Sequence, residues 1–126
     1  NKGINFTIDK IETSGDNKIN ELIQNNLNNQ NRGDKKYNLF LNTTKKKVII
    51  SSDAKGDPQI YKLIISTDYI VEQKNNIIIE DNIFEENTYN NVSDKFELLK
   101  NEENILKTTA QKIADEITIS IISSIK

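Results

Sequence analysis

Apolar and polar residues alternate from the start of the chain. Ile4, Phe6 and Ile8 fall on one side and Asn5, Thr7 and Asp9 on the other, which predicts a strand over 4–12. Ile11 breaks that parity, and a bulge or the strand end accounts for it. Ser14-Gly15-Asp16-Asn17 is a turn cluster in which Asp16 or Asn17 can cap a following helix. Ile19, Leu22, Ile23 and Leu27 then recur at helical spacing, and the poor helix formers Asn25, Asn26, Asn28 and Asn29 predict fraying before Gly33.

Alternation returns at Tyr37, Leu39, Leu41 and Thr43. It is interrupted by Lys45-Lys46-Lys47 and resumes at Val48-Ile49-Ile50, which predicts one long strand with a twisted or bulged, solvent-facing middle. A loop over 51–59 holds Gly56 and the only proline, Pro58. The third strand is the clearest, with Tyr61, Leu63, Ile65, Thr67, Tyr69 and Val71 on one face. Lys74-Asn75-Asn76 predicts a tight hairpin, since Asn tolerates positive φ. A fourth strand then runs from Ile77 towards Tyr89, with an irregularity at Asp81-Asn82.

A long closing helix is predicted from about Phe96 to Ile125. Leu99, Leu106, Ala110, Ile113, Ile117 and Ile121 form its stripe, and Asn91 or Ser93 is available to cap it. The predicted order is β-α-β-β-β-α. The fold class is α+β: a two-layer sandwich with two helices on one face of a four-stranded sheet.

Composition narrows this picture. At 126 residues the chain is a single domain spanning 1–126, and 35% hydrophobic against 29% charged residues implies a thin core, which suits two layers. The chain has no Cys and no His, so thiol and imidazole catalysis, disulfides and zinc sites of the usual kind are excluded. A net charge of -2 argues against a nucleic-acid partner. No apolar run is long enough to span a membrane, and the opening Asn1 in place of Met is read as a processed start.

Little in the chain looks like chemistry. Adjacent residues diverge on a strand or helix, so Glu85-Glu86 and Glu102-Glu103 do not converge on a substrate and read as solvated surface. Asp53 and Asp57 lack the spacing of a calcium loop. Tyr37, Tyr61 and Tyr69 sit among aliphatics at period two and read as core. Lys45, Lys46 and Lys47 form the one local basic cluster. They read either as a lysine-protected strand segment or as contacts to a phosphate-bearing partner.

Three stretches carry a resemblance that covers most of the chain. The first is Phe6-Thr7-Ile8-Asp9-Lys10-Ile11 followed by Asn20-Glu21-Leu22-Ile23-Gln24-Asn25-Asn26-Leu27. The second is the strand from Tyr61 to Tyr69. The third is Thr88-Tyr89-Asn90, then Ser93 and Phe96, leading to Ala110, Ile113-Ala114 and Ile117. Together they resemble the LPS-assembly lipoprotein LptE family in its alphaproteobacterial form.

That resemblance implies a non-catalytic domain without cofactors, held on the periplasmic side of the outer membrane by a lipid anchor upstream of Asn1. It implies a plug inside the LptD outer-membrane β-barrel that supports assembly of the barrel and binds lipopolysaccharide. Lys45, Lys46 and Lys47 then become the expected lipopolysaccharide contacts. A thin core under a polar exterior suits a wet barrel lumen. The alternative expectation is an auxiliary lipoprotein of another envelope lipid-transport system.

Overall fold

A computed structural model of the chain describes residues 6–27 and 33–125. The elements are β1 (Phe6–Gly15), α1 (Asn17–Leu27), β2 (Lys35–Ser52), β3 (Pro58–Gln73), β4 (Asn76–Asn90) and α2 (Lys95–Ser124). The sheet order is β1-β2-β3-β4, with β1 parallel to β2 and the other pairs antiparallel. The architecture is α+β with the order read from the sequence. Asn25 and Asn26 remain in α1, while the strand start placed at Ile4 and the fraying expected at Asn28 and Asn29 fall outside the described residues.

Local chemistry sets the joints. Gly15 adopts a φ of +88°, and a Cβ there would lie 2.0 Å from the Thr43 carbonyl oxygen, so only glycine lets the chain leave β1 beside β2. Asp16 caps α1 by accepting from the Ile19 amide at 2.9 Å. Lys74 and Asn75 both have positive φ, as a two-residue hairpin between long strands requires. At the head of α2 the cap is Asp94, whose carboxylate accepts from the Phe96 and Glu97 amides; neither Asn91 nor Ser93 does so.

The register corrects two expected irregularities. Lys45-Lys46-Lys47 pairs with Leu63, Ile64 and Ile65 without a break, and the shift in β2 falls beyond it, between Ile49 and Ser51. Asp81 and Asn82 pair regularly with Tyr69 and Asp68, while the extra residue of β4 is Ile78, close to the hairpin. Lysine and Asp-Asn text interrupts hydropathy without interrupting the ladder, because exposed strand positions tolerate any polar side chain.

The core lies between the helices and one sheet face. Phe6, Leu39, Leu41, Ile65 and Val71 from the sheet meet Ile19, Ile23, Ala110, Ile113 and Ile117 from the helices. At its heart is a closed polar knot. Asn20 donates to the Ser14 carbonyl at 2.8 Å and accepts from Thr43 at 2.7 Å, and Thr43 meets Thr67 at 3.0 Å. All three side chains are buried, so each hydrogen bond offsets a desolvation cost that would otherwise stand unopposed.

Element lengths decide where cover ends. α1 has 11 residues and reaches about 16 Å, whereas β2 has 18 and reaches about 60 Å. α1 starts level with Thr43, because Asn20 touches Thr43 and Asp16 bonds the Thr43 carbonyl. Beyond Thr43 the sheet continues under α2 alone.

Candidate functional site

The half-covered part of the sheet is where the candidate lysines lie. Lys45 pairs with Ile65 and Lys47 with Leu63, so both rise from the face that carries the helices. Lys46 pairs with Ile64 and points from the opposite, open face. The three lysines predicted as one cluster are therefore divided between two surfaces.

Lys45 and Lys47 line a groove of about 500 Å3 together with Lys18 of α1, Leu63 of β3, and Leu99 and Leu106 of α2. Leu99, expected in the α2 stripe, is 65% exposed, while its neighbour Leu98 is 7% exposed. The reason is geometric. Leu99 and Glu103 follow the side of α2 that meets α1 further on, shown by the Lys18–Glu103 pair at 3.4 Å. At the level of Leu99 there is no α1 to cover it. A leucine that periodicity assigns to the core thus becomes a groove wall.

The charges in the groove are balanced. Lys47 pairs with Glu102 at 2.7 Å, Lys18 with Glu103 at 3.4 Å and Lys45 with Asp16 at 3.9 Å. Pairs with partly exposed lysines are worth about 0–1 kcal/mol each, so a phosphate can exchange for a carboxylate at small cost. A bare cluster of like charge would hold an anion more strongly but would also repel itself.

Below the groove lies an aromatic and ionic brace. Tyr89 of β4 donates its hydroxyl to the Glu102 carboxylate. Lys47 stacks its ammonium 4.2 Å from the centre of the Tyr61 ring, and the Tyr61 and Tyr89 rings are 5.6 Å apart. Burial opposes ionisation of Glu102, but the hydrogen bonds from Lys47 and Tyr89 and the Lys47 and Lys45 charges outweigh it. The carboxyl is held below its usual range. Burial, then the bond to Glu102 and its charge, pushes the Tyr89 phenol far above its ordinary value.

Glu102 is therefore not the solvated surface acid read from the Glu102-Glu103 dyad. Its side chain is 19% exposed and anchors α2 to the sheet. Tyr61 is likewise half-buried beneath Lys47, not sealed in the core. No sequence signal links Tyr89 to Glu102, because their meeting depends on how α2 lies across β4. Tyr37 and Tyr69 are buried as expected, and Tyr69 closes its hydroxyl on Ser120 at 2.7 Å.

The open sheet face carries a larger hollow of about 760 Å3, lined in part by Glu12, Asp68 and Glu80. Its acidic lining does not suit a phosphate. Among the described residues no group of Cys, His, Asp and Glu could hold a metal ion, and no helix is long and apolar enough to cross a membrane.

No protein-family model matches the chain, and no curated protein matches it by sequence. Solved structures do. The crystal structure of rare lipoprotein B from Shewanella oneidensis superposes with a TM-score of 0.65 at 17% identity, over 92% of this chain and 96% of that one. The chain has the rare lipoprotein B fold. A lipoprotein from Caulobacter crescentus gives a TM-score of 0.65 at 14% identity, covering 90% of this chain and 88% of that one. The solution structure of lipoprotein B from Nitrosomonas europaea gives 0.63 at 12% identity, covering 94% and 85%. Such low identities with nearly complete coverage in both directions mean that the rare lipoprotein B fold is shared whole, without an added or missing layer.

Proposed function

We propose that the chain is a non-catalytic lipoprotein component of the lipopolysaccharide export machinery, of the LptE type. It stands on the periplasmic side of the outer membrane, sits within the LptD β-barrel as a plug, assists assembly of that barrel and binds lipopolysaccharide. The observation that carries this reading is the match to rare lipoprotein B over 92% of this chain and 96% of that structure. The fold meets the sequence resemblance independently, since one rests on backbone geometry and the other on residues.

The lining of the groove supports the ligand-binding part of this reading. Lipopolysaccharide joins phosphates to acyl chains. Lys45 and Lys47 supply cations, and Leu63, Leu99 and Leu106 supply an apolar wall a few residues away. Flexible lysines act on phosphate as point charges and need no fixed fork geometry. Lys46, on the open face, contributes little to such a contact.

Affinity capture of the full chain from detergent-solubilised envelopes tests the partner. Recovery of a large outer-membrane barrel is the expected result. Recovery of an inner-membrane transporter without the barrel would overturn the LptD assignment and favour an auxiliary lipoprotein of another lipid-transport system.

A further inference from the structure

The sheet ends on two unequal edges. β1 is 10 residues long and bulged between Ile8 and Lys10, which turns an edge away from pairing. β4 is 15 residues long and free of proline, and its pairing with β3 runs from Asn76 to Asn90 with the single shift near the hairpin. Among the described residues β3 is its one strand partner, and no loop or helix backbone bonds to its outer side. A free edge of that length is a template for a further strand.

Charge decides which strand fits. β4 contains Glu80, Asp81, Glu85 and Glu86 and no Lys or Arg. Glu85 is paired with Lys112 and Glu86 with Lys62, from inside the fold. Glu80 and Asp81 have no lysine within ion-pair distance among the described residues.

A second copy of the chain is the nearest rival for this edge. Ile83 is the midpoint of β4, so two-fold antiparallel pairing along the whole strand sets Glu80 against Glu86 and Asp81 against Glu85. Like charges directly opposite one another across strands are destabilising. The acids are placed where they disfavour self-pairing in its longest register.

We propose that the β4 edge is a strand-addition site for a basic extended segment of a partner protein, one carrying two adjacent Lys or Arg, three intervening residues, and two more. Laid antiparallel on β4, that pattern opposes bases to Glu80-Asp81 and to Glu85-Glu86. Successive strand residues point to opposite faces, so each basic pair straddles the edge. One base meets Glu80 or Glu86 on the open face, and the other meets Asp81 or Glu85 on the helix side. Backbone bonds supply the affinity and the acids select the partner.

The probe is a synthetic Thr/Val peptide with lysines in this pattern, beside a twin with glutamates in their place. Amide exchange is followed by NMR on the full chain. The lysine peptide is expected to slow exchange along β4 and leave β1 unchanged, and the glutamate twin to do neither. Glu80→Lys/Asp81→Lys is expected to weaken the lysine peptide about tenfold, the worth of two reversed cross-strand pairs. The same variant is expected to dimerise in sedimentation, because its altered positions then face Glu86 and Glu85 of a second copy. Should it fail to fold, Glu80→Gln/Asp81→Asn gives the same loss of peptide binding at smaller size. Protection confined to β1, no protection of β4 at saturating lysine peptide, or a folded charge variant that binds as the unaltered chain does would overturn the proposal.

Discussion

The two halves of the sheet face that carries the helices are built on different principles. Around Leu39, Leu41, Tyr69 and Val71, both helices cover the sheet and packing is apolar and closed, apart from the Asn20-Thr43-Thr67 knot. Around Lys45, Lys47, Tyr61 and Tyr89 only α2 remains, and it is held by the Lys47–Glu102–Tyr89 brace beside a groove with an exposed leucine. Removing one layer exchanges burial for polar contact, and the residues freed from packing become available for a ligand. Closed packing marks the first half and the proposed binding groove the second.

The strongest test of this division is truncation in the closed half. Leu39→Ala, at a fully buried site, is expected to cost about 3–4 kcal/mol in a denaturant titration, because the double cover prevents collapse around the cavity. A cost under about 1 kcal/mol would mean the closed half is loosely packed.

Next comes the border between the halves. Asn20→Ala leaves the Ser14 carbonyl and the Thr43 hydroxyl without their present partner, and about 2 kcal/mol of destabilisation is expected. Thermal melts of Asn20→Ala and Asn20→Asp, which restores only the acceptor, separate the two bonds.

Smaller effects belong to the brace. Glu102→Gln is expected to cost about 1 kcal/mol or less near neutral pH, since Lys47 is partly exposed. Its signature lies in pH dependence. Glu102 has a carboxyl lowered from 4.5, so the unfolded chain takes up the proton first as pH falls. The stabilisation is whole above the usual carboxylate range and is lost as pH drops through the depressed folded value. The variant should flatten that part of the acid limb. At the other extreme Tyr89 is raised from 10.0, so stability is expected to fall as pH rises beyond that value, and Tyr89→Phe to reduce the fall.

The smallest effect expected is at the groove wall. Leu99→Ser should change stability by no more than about 0.5 kcal/mol, because the side chain is already mostly in water. A large loss on melting would show that Leu99 is packed after all.

The closed half was legible in the sequence, while the half-covered one was not. Period-two text at Tyr37–Thr43 and Thr67–Val71 and the stripe of Ala110, Ile113, Ile117 and Ile121 name the core directly, since burial on one face imposes those periods. Leu99, Tyr61 and Glu102 were misread because periodicity reports which side of an element a residue occupies. It does not report whether another layer covers that side. The length mismatch between α1 and β2 holds that information, and it becomes visible only once α1 is placed level with Thr43. The division of Lys45 and Lys47 from Lys46 was open to reading from strand alternation, provided that the strand ran unbroken through the lysines, as it does.

The central claim is that the half-covered groove, and not the lysine run as such, receives a phosphorylated lipid. Equilibrium binding of purified lipopolysaccharide to the folded chain tests it most directly, with Lys45→Gln/Lys47→Gln compared against Lys46→Gln. The double variant is expected to lose about tenfold or more in affinity, from two phosphate contacts of about 1 kcal/mol each, while Lys46→Gln binds like the unaltered chain. Equal losses in the two variants, or no loss in a well-folded double variant, would contradict it.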